Sequence, residues 1–417
     1  MTETLAIDGG APLITRALPG WPQIPEAGVE AVAAVLRSGK INYWTGEQAR
    51  RFEAEFAEAQ EVAHTLAVAN GTLALELALR SFGIGAGDEV IVPSRTFIAT
   101  AGAVVAVGAT PIIADIDPMT GALTPLSVAK RLTPRTRAVI VVHVGGYPAP
   151  VTAIRELTDQ LDLVVIEDCA QAQGARIEGR PIGTTGHASC FSFCQDKILP
   201  LGEGGMICYS AGERQEDAWQ QAWAYRDHGH AFMLAHDAQV QEHSAQFKYL
   251  CEGFGTNARL TEAQGALGRV LLAQVPAWHA QRTRNAEILT GELADFAPVL
   301  RPVVLPPADR ARGSEHACYR LYFLLDSAAL APGWDRDRVI EAIVAEGAPV
   351  QFGSCALIGH ERAFATLETA QATDDDLPGA RCADEQSLAF FVHPTLTEVD
   401  MVDIAAAARK VLNQAVR

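Results

Sequence analysis

The chain has 417 residues, of which 49% are hydrophobic and 20% charged, enough for a large buried core and two domains. Its 33 basic residues stand against 50 acidic ones, a formal charge of -17 with no basic run to track a phosphate backbone. That argues against a nucleic-acid partner but leaves room for a small phosphorylated ligand held by backbone N–H groups.

The opening, from Met1 to Arg16, lacks a basic segment followed by an apolar stretch, and no apolar run reaches membrane-spanning length. A cytoplasmic protein with no membrane partner is expected. After this arm, Glu26 to Ser38 carries apolar residues at helical spacing with Gly39 as terminator, and a second helix is predicted over Ala49 to Ala59. The run TLAVA reads as a strand ending at Asn70-Gly71-Thr72, after which leucines and alanines resume at helical spacing. A strand, a tight turn and a helix start in that order leave unpaired N–H groups and a positive dipole end, so Gly71 and Thr72 could hold a phosphate. A capped helix without a ligand accounts for the same residues.

DEVIVP, TPIIADI, RAVIVV and LVVIED follow as strands, with helical stretches between them. Strands apolar along their whole length, alternating with helices, point to a mostly parallel sheet covered on both faces. Ligands in such folds collect at the carboxyl ends of the strands. The chain places Asn70-Gly71-Thr72, Thr96-Phe97, His143, Asp168 and the stretch from Ser192 to Lys197 at those ends.

In SFCQDKILPLGEGG, Ser192 closes a buried strand and Lys197 precedes Gly202, Gly204 and Gly205, which allow a tight turn or a close approach. A lysine partly withdrawn from water there could serve as nucleophile or base and form a Schiff base. Asp168, directly after LVVIE, needs a partner if that strand end is buried; capping a loop or meeting an arginine is the alternative to a catalytic role. Taken together, the phosphate-type turn, the carboxylate and the glycine-flanked lysine are the three supports that pyridoxal phosphate needs: a phosphate cradle, an acid opposite the pyridine nitrogen and an amine.

The eight cysteines form no CxxC pair and read as reduced thiols. His228 and His230 lack companion ligands at a suitable spacing, so no metal is expected. The segment from Ala231 to Lys248 reads as a loop, a lid or a partner contact. From about Leu271 the pattern changes to a smaller α+β unit, with helices over Trp278 to Leu293, DRDRVIEAIVAEG and Glu398 to Leu412, and strands in YRLYFLL and SLAFFVHPTL. The expected division is 1–275 for a large domain with the N-terminal arm and 276–417 for a small C-terminal domain.

The motifs NGTLALELAL, VPSRTFIATA, IEDCAQAQGA, FSFCQDKILPLGEGGM, YRDHG, GFGTNARLTEAQGALGRVLL and FFVHPTL together resemble the DegT/DnrJ/EryC1/StrS family of pyridoxal-phosphate-dependent sugar aminotransferases, over most of the chain. The resemblance implies a fold-type I (aspartate aminotransferase-like) α/β architecture with a mostly parallel seven-stranded sheet, and a homodimer with shared active sites. It implies Lys197 as the aldimine lysine and Asp168 as the partner of the pyridine nitrogen. Gln171 would lie near the cofactor's phenolic oxygen, and Phe97 would stack on the ring. Gly71, Thr72 and Ser192 would grip the phosphate, with Asn257 reaching it from the other subunit; a turn or helix cap is the plain alternative for Asn257. A related subgroup carries histidine in place of the lysine and dehydrates sugars, which Lys197 argues against.

The activity so implied is ping-pong transfer of an amino group from L-glutamate or L-glutamine to a keto-sugar, with a nucleotide-linked sugar as the first reading. A keto-cyclitol of scyllo-inosose type is the alternative, and a non-catalytic pyridoxal-phosphate-binding regulator is the alternative of another class. Cys194-Gln195-Asp196, Pro200 and VHVGGYP depart from the commonest family pattern, which leaves the acceptor pocket open. Arg226, His228 and Tyr147 are candidate acceptor contacts, each explained equally well by loop structure.

Overall fold

The computed structural model describes residues 3–232, 251–367 and 374–417. The segment expected as a loop or lid lies almost wholly outside the described residues. The first helix, α1 (Glu26–Ser38), stops at Gly39 with φ 69, a left-handed turn that costs glycine nothing. Helix α2 (Gln48–Gln60) buries Phe52 and Phe56.

The large sheet holds β1 (His64–Val68), β2 (Glu89–Pro93), β3 (Thr110–Ala114), β4 (Thr136–Val142) and β5 (Val164–Asp168), with β8 (Ala188–Ser192) and β9 (Gly205–Tyr209). A two-residue pair, β6 (Arg176–Ile177) and β7 (Arg180–Pro181), forms a separate ribbon. The seven strands lie in the order β1-β9-β8-β5-β4-β2-β3. All neighbours run parallel except β9, which is antiparallel to both β1 and β8. The mostly parallel sheet of the sequence reading is therefore present, with one reversed strand.

Both faces of the sheet are buried, and successive residues of a strand alternate between them. In β4, Ala138, Ile140 and Val142 join the core on one face, while Val139 and Val141 join a second core on the other. In β9, Ile207 and Tyr209 face the first core, and Met206 and Cys208 pack with Phe52, Phe56, Phe191 and Phe193. Helices α3 (Gly71–Ser81), α4 (Ala99–Ala106), α5 (Pro125–Ala129), α6 (Val151–Asp159) and α7 (Glu213–Arg226) connect or flank these strands.

A second sheet of four antiparallel strands, β10 (Leu300–Pro302), β11 (Leu321–Leu325), β12 (Val350–Gln351) and β13 (Ser387–Phe390), is ordered β10-β11-β13-β12. Its core includes residues of the helices Val275–Glu292, Arg336–Ala345 and Glu398–Ala415, together with Leu5 and Ile14 of the N-terminal arm. Among the described residues no helix is long and apolar enough to cross a membrane.

Candidate active site

The sheet order brings distant strand ends together. Gly205 of β9 pairs with Val68 on one side and Ser192 on the other, so the turn after β1 and the end of β8 are separated by one strand. Helix α3 starts in that turn, where Asn70 caps it by accepting a hydrogen bond from the Leu73 N–H at 2.9 Å. The approach is close: a Cβ on Gly71 would lie 2.7 Å from Ser192 Cβ and 3.1 Å from its Oγ. The free amides at the helix start and the Ser192 hydroxyl thus share one corner, of a chemistry that suits an anion.

This corner belongs to a cavity of about 750 Å3 whose walls include Gly71, Thr72, Phe97, Asp168, Gln171, Ser192 and Lys197. Seven of the eight site residues expected from sequence therefore meet in one space. Asn257, the eighth, does not line it; it is exposed and bridges Asp227 across a short antiparallel contact. Phe97 lines the cavity and is 62% exposed.

Asp168 ends β5 and is buried. Its Oδ2 accepts a hydrogen bond from Thr100 Oγ1 at 2.9 Å, and its Oδ1 accepts the Ala170 N–H at 3.1 Å. The Thr100 proton goes to the carboxylate, so Thr96 donates to Thr100 across 2.8 Å. Burial raises the Asp168 pKa above its usual value, against the opposing pull of the Ala170 amide, Thr100, Lys197 and His143. A cation in the cavity would act in the same direction as these partners and favour the charged carboxylate.

Gln171 is fixed at both ends. Its Oε1 accepts from the Gly145 N–H and from Ser354 Oγ, each at 2.7 Å, while Nε2 contacts Cys355 Sγ at 3.4 Å. Lys197 stands in the loop after β8, half-buried, with its Nζ 5.0 Å from the centre of the Tyr319 ring. Thr100, Ser354 and Tyr319 were not signalled by local sequence, because each reaches the cavity only through tertiary packing.

Beneath the cavity, His143, Glu167 and Cys169 place ligand-type atoms within 4.8 Å of one another. His143 Nδ1 accepts the Ala149 N–H at 3.0 Å, which leaves Nε2–H to donate to Glu167 at 3.1 Å. Glu167 also accepts the backbone N–H groups of Gly183, Thr185 and Gly186. Burial alone would raise its pKa, but the His143 bond and these amides hold it below the usual carboxylate range. His143 and Glu167 are thus a hydrogen-bonded buried pair, with the buried Cys169 thiol beside them.

The three suggested acceptor contacts lie elsewhere. Arg226 is fully buried against Glu53 Oε1 at 2.8 Å and the Ala67 carbonyl at 2.9 Å, a structural pair. Tyr147 packs edge-on against His316, and His228 sits in a left-handed turn with φ 61. None of the three lines the cavity.

The sequence profile of the DegT/DnrJ/EryC1/StrS aminotransferase family matches residues 22–409. The chain belongs to this family. The protein is accordingly a transaminase, and its family is one of pyridoxal-phosphate-dependent enzymes. It is 38% identical over 358 residues to the L-glutamine:2-deoxy-scyllo-inosose aminotransferase of Streptomyces kanamyceticus, covering 84% of this chain and 80% of that one. It is also 41% identical over 281 residues to the dTDP-3-amino-3,4,6-trideoxy-alpha-D-glucose transaminase of Streptomyces venezuelae, covering 67% and 68%. Among solved structures, the aminotransferase from Psychrobacter cryohalolentis superposes with a TM-score of 0.90 at 41% identity, over 95% of this chain and 99% of that one. The fold-type I architecture expected from the sequence is borne out.

Proposed function

We propose that the cavity holds pyridoxal 5'-phosphate and that the protein transfers an amino group from L-glutamine or L-glutamate to the ketone of a sugar or cyclitol. The observation that carries this reading is the convergence of the Lys197 amine, the buried Asp168 carboxylate and the helix-start corner on one cavity. A phosphate suits the corner of Gly71, Thr72 and Ser192, and a ring cation suits the raised pKa of Asp168.

When bound, pyridoxal phosphate supplies a cationic ring that withdraws electrons from the donor's α-carbon. Asp168 keeps the ring nitrogen protonated by lowering the energy of that cation in a water-poor site. Phe97 would offer a flat apolar face to the ring, and Gln171, which lines the same cavity, would stand near the phenolic oxygen. The Lys197 amine would serve as the base that takes the proton from the donor's α-carbon and as the acid that delivers one to the former ketone carbon of the acceptor. One site serves two substrates in turn, so ping-pong kinetics is expected.

For the acceptor, a nucleotide-linked keto-sugar is supported by the Streptomyces venezuelae relative, and a keto-cyclitol by the Streptomyces kanamyceticus relative, which spans more of the chain. The exposed Asn257, outside its own cavity, fits a homodimer in which it approaches the partner's phosphate corner. Eight free cysteines fit a reducing, cytoplasmic setting.

The test is the cofactor-loaded protein with glutamine or glutamate and a panel of nucleotide-linked keto-sugars and keto-cyclitols, with products read by mass spectrometry. Amination of one class is expected, and Lys197→Ala should abolish it without unfolding the protein. A loaded protein that aminates neither class overturns the substrate reading; turnover by the alanine variant overturns the role of Lys197.

A further inference from the structure

Lys197 sits at the apex of a loop that its own sheet holds only at the base. Phe193 closes the loop by donating its N–H to the Gly204 carbonyl and accepting from the Leu201 N–H, both at 2.8 Å. At the apex, the local tie is the Lys197 N–H donated to the Cys194 carbonyl at 3.0 Å. Two aromatic side chains from distant parts of the chain supply further contacts. Trp21, in the N-terminal arm, donates its indole Nε1–H to the Lys197 carbonyl at 2.9 Å. Tyr319, just before β11, presents its ring to Lys197 Nζ at 5.0 Å, and its hydroxyl donates to the neighbouring Asp196 carboxylate.

Both side chains are themselves held. Trp21 meets Trp278 edge-on with centroids 5.1 Å apart and stacks on His393 at 6.4 Å. Beneath it lies Arg282, fully buried, whose Nε and Nη2 find no hydrogen-bond partner among the described residues. The Arg282 guanidinium lies 5.1 Å from the Trp21 ring centre, so the electron-rich indole face is its compensating partner. Burial pushes the Arg282 pKa down to about 9, the mark of a charge with few partners. Its remaining bond, from Nη1, goes to the carbonyl of Cys318 at 3.3 Å, directly before Tyr319. Cys318 is held at φ 51, a left-handed conformation that a residue with a Cβ adopts at a cost. On the other side, the Arg320 guanidinium lies 4.3 Å from the Tyr319 ring centre. Arg282 thus links the two aromatic residues through its contact with one and its bond to the backbone beside the other.

We propose that Trp21 and Tyr319 are positioning residues for Lys197: the indole N–H fixes the backbone at the loop apex and the phenol ring seats the amine. The proposal rests on the reading of Lys197 as the cofactor-bearing lysine. It assigns a task in the reaction to the N-terminal arm and to the segment before β11, neither of which belongs to the large sheet.

The test follows the cofactor-free protein as pyridoxal phosphate is added, with borohydride trapping and peptide mapping of the modified lysine. Trp21→Phe keeps an aromatic ring but loses the donor, and should slow trapping of Lys197 roughly fivefold, the value of one hydrogen bond. Tyr319→Leu removes the ring and should slow it roughly threefold or more, whereas Tyr319→Phe keeps the ring and should stay within about twofold of wild type. In the loaded enzyme, kcat should fall in Trp21→Phe and Tyr319→Leu with KM for both substrates unchanged, and Tyr319→Phe should restore it. Should Trp21→Phe fail to fold, the leucine and phenylalanine variants at 319 decide. Trapping at another lysine in the wild type would refute the reading of Lys197 itself. Trapping at Lys197 with equal rates in all folded variants, or equal losses in Tyr319→Phe and Tyr319→Leu, would refute the positioning role alone.

Discussion

Replacing Gly71 by alanine tests the phosphate corner with little change to the rest of the molecule. The added Cβ would lie 2.7 Å from Ser192 Cβ, 3.1 Å from its Oγ and 3.2 Å from its Cα. Carbon atoms prefer separations of about 3.5–4.0 Å, so the start of α3 and the end of β8 must part by about 1 Å. Such overpacking costs about 1–3 kcal/mol, while exchanging glycine for alanine in a helix returns about 0.5–1 kcal/mol, so the fold should survive with a modest fall in stability. The ligand feels more. A phosphate bound between the helix amides and the Ser192 hydroxyl loses at least one charge-assisted hydrogen bond, each worth about 1.5–3 kcal/mol, or about 10-fold to 150-fold in affinity. The assay is a spectroscopic titration of cofactor-free protein with pyridoxal phosphate and, in parallel, with pyridoxal, which lacks the phosphate. Gly71→Ala should weaken the first by that factor and leave the second within about threefold. Equal weakening of both, or an unchanged affinity for pyridoxal phosphate, would refute the placement of the phosphate.

Two further outcomes follow from the buried carboxylates. Asp168 has a folded pKa raised by burial, so in cofactor-free protein its contribution to stability is complete below the unfolded value and is lost as pH rises through the folded one. Thermal melts across pH should therefore show wild type losing stability relative to Asp168→Asn toward neutral pH, and cofactor should remove the difference; parallel curves would contradict a partner-seeking carboxylate. Glu346 is the opposite case, buried yet held below its usual pKa because the Ala6 N–H at 2.8 Å, Lys410 Nζ at 2.9 Å and the Leu13 N–H at 2.9 Å overcome the cost of burial. Its contribution is present above the unfolded pKa and lost as pH falls through the folded one. Glu346→Gln breaks the buried pair with Lys410 and should cost about 3 kcal/mol in urea unfolding, with the arm becoming open to protease; a loss under about 1 kcal/mol with an uncut arm would show that other contacts, such as buried Leu5 and Ile14 and the Arg16–Asp400 pair, suffice to hold the arm.

The parts of the site that sequence disclosed are those whose chemistry is local. Asn70-Gly71-Thr72 announces a helix start after a strand, Asp168 a carboxylate at the end of an apolar run, and Lys197 an amine beside glycines. Each is informative within a few residues because strand ends in a parallel sheet must face one edge. Thr100, Ser354, Tyr319 and Trp21 carry no comparable signal: their neighbours in sequence do not reveal which strand end they will meet. The reversed direction of β9 was equally hidden in the composition of GMICY, although the connection from 193 to 204 contains no helix, the element a parallel return ordinarily needs. Arg226, left open between an acceptor contact and a structural role, is the converse case. A basic residue in a motif beside histidines suggests substrate binding, but its place at the end of α7 buries it against Glu53.

The glycine cluster after Lys197 is used in two ways. In sequence, Gly202, Gly204 and Gly205 read as a tight turn or a close approach to a ligand. Gly202 and Gly204 do take positive φ, at 78 and 153, and turn the loop back into the sheet. Gly205, however, lies in β9 between Val68 and Ser192, and a Cβ there would come within 2.6 Å of the Asn70 carbonyl carbon and 2.9 Å of the Gly71 nitrogen. Any side chain at 205 would lift the start of α3 away from the sheet and separate it from Ser192. The glycine farthest from the lysine in this cluster therefore sets the spacing between the start of α3 and Ser192, and the lysine loop and that corner are two consequences of one short segment of chain.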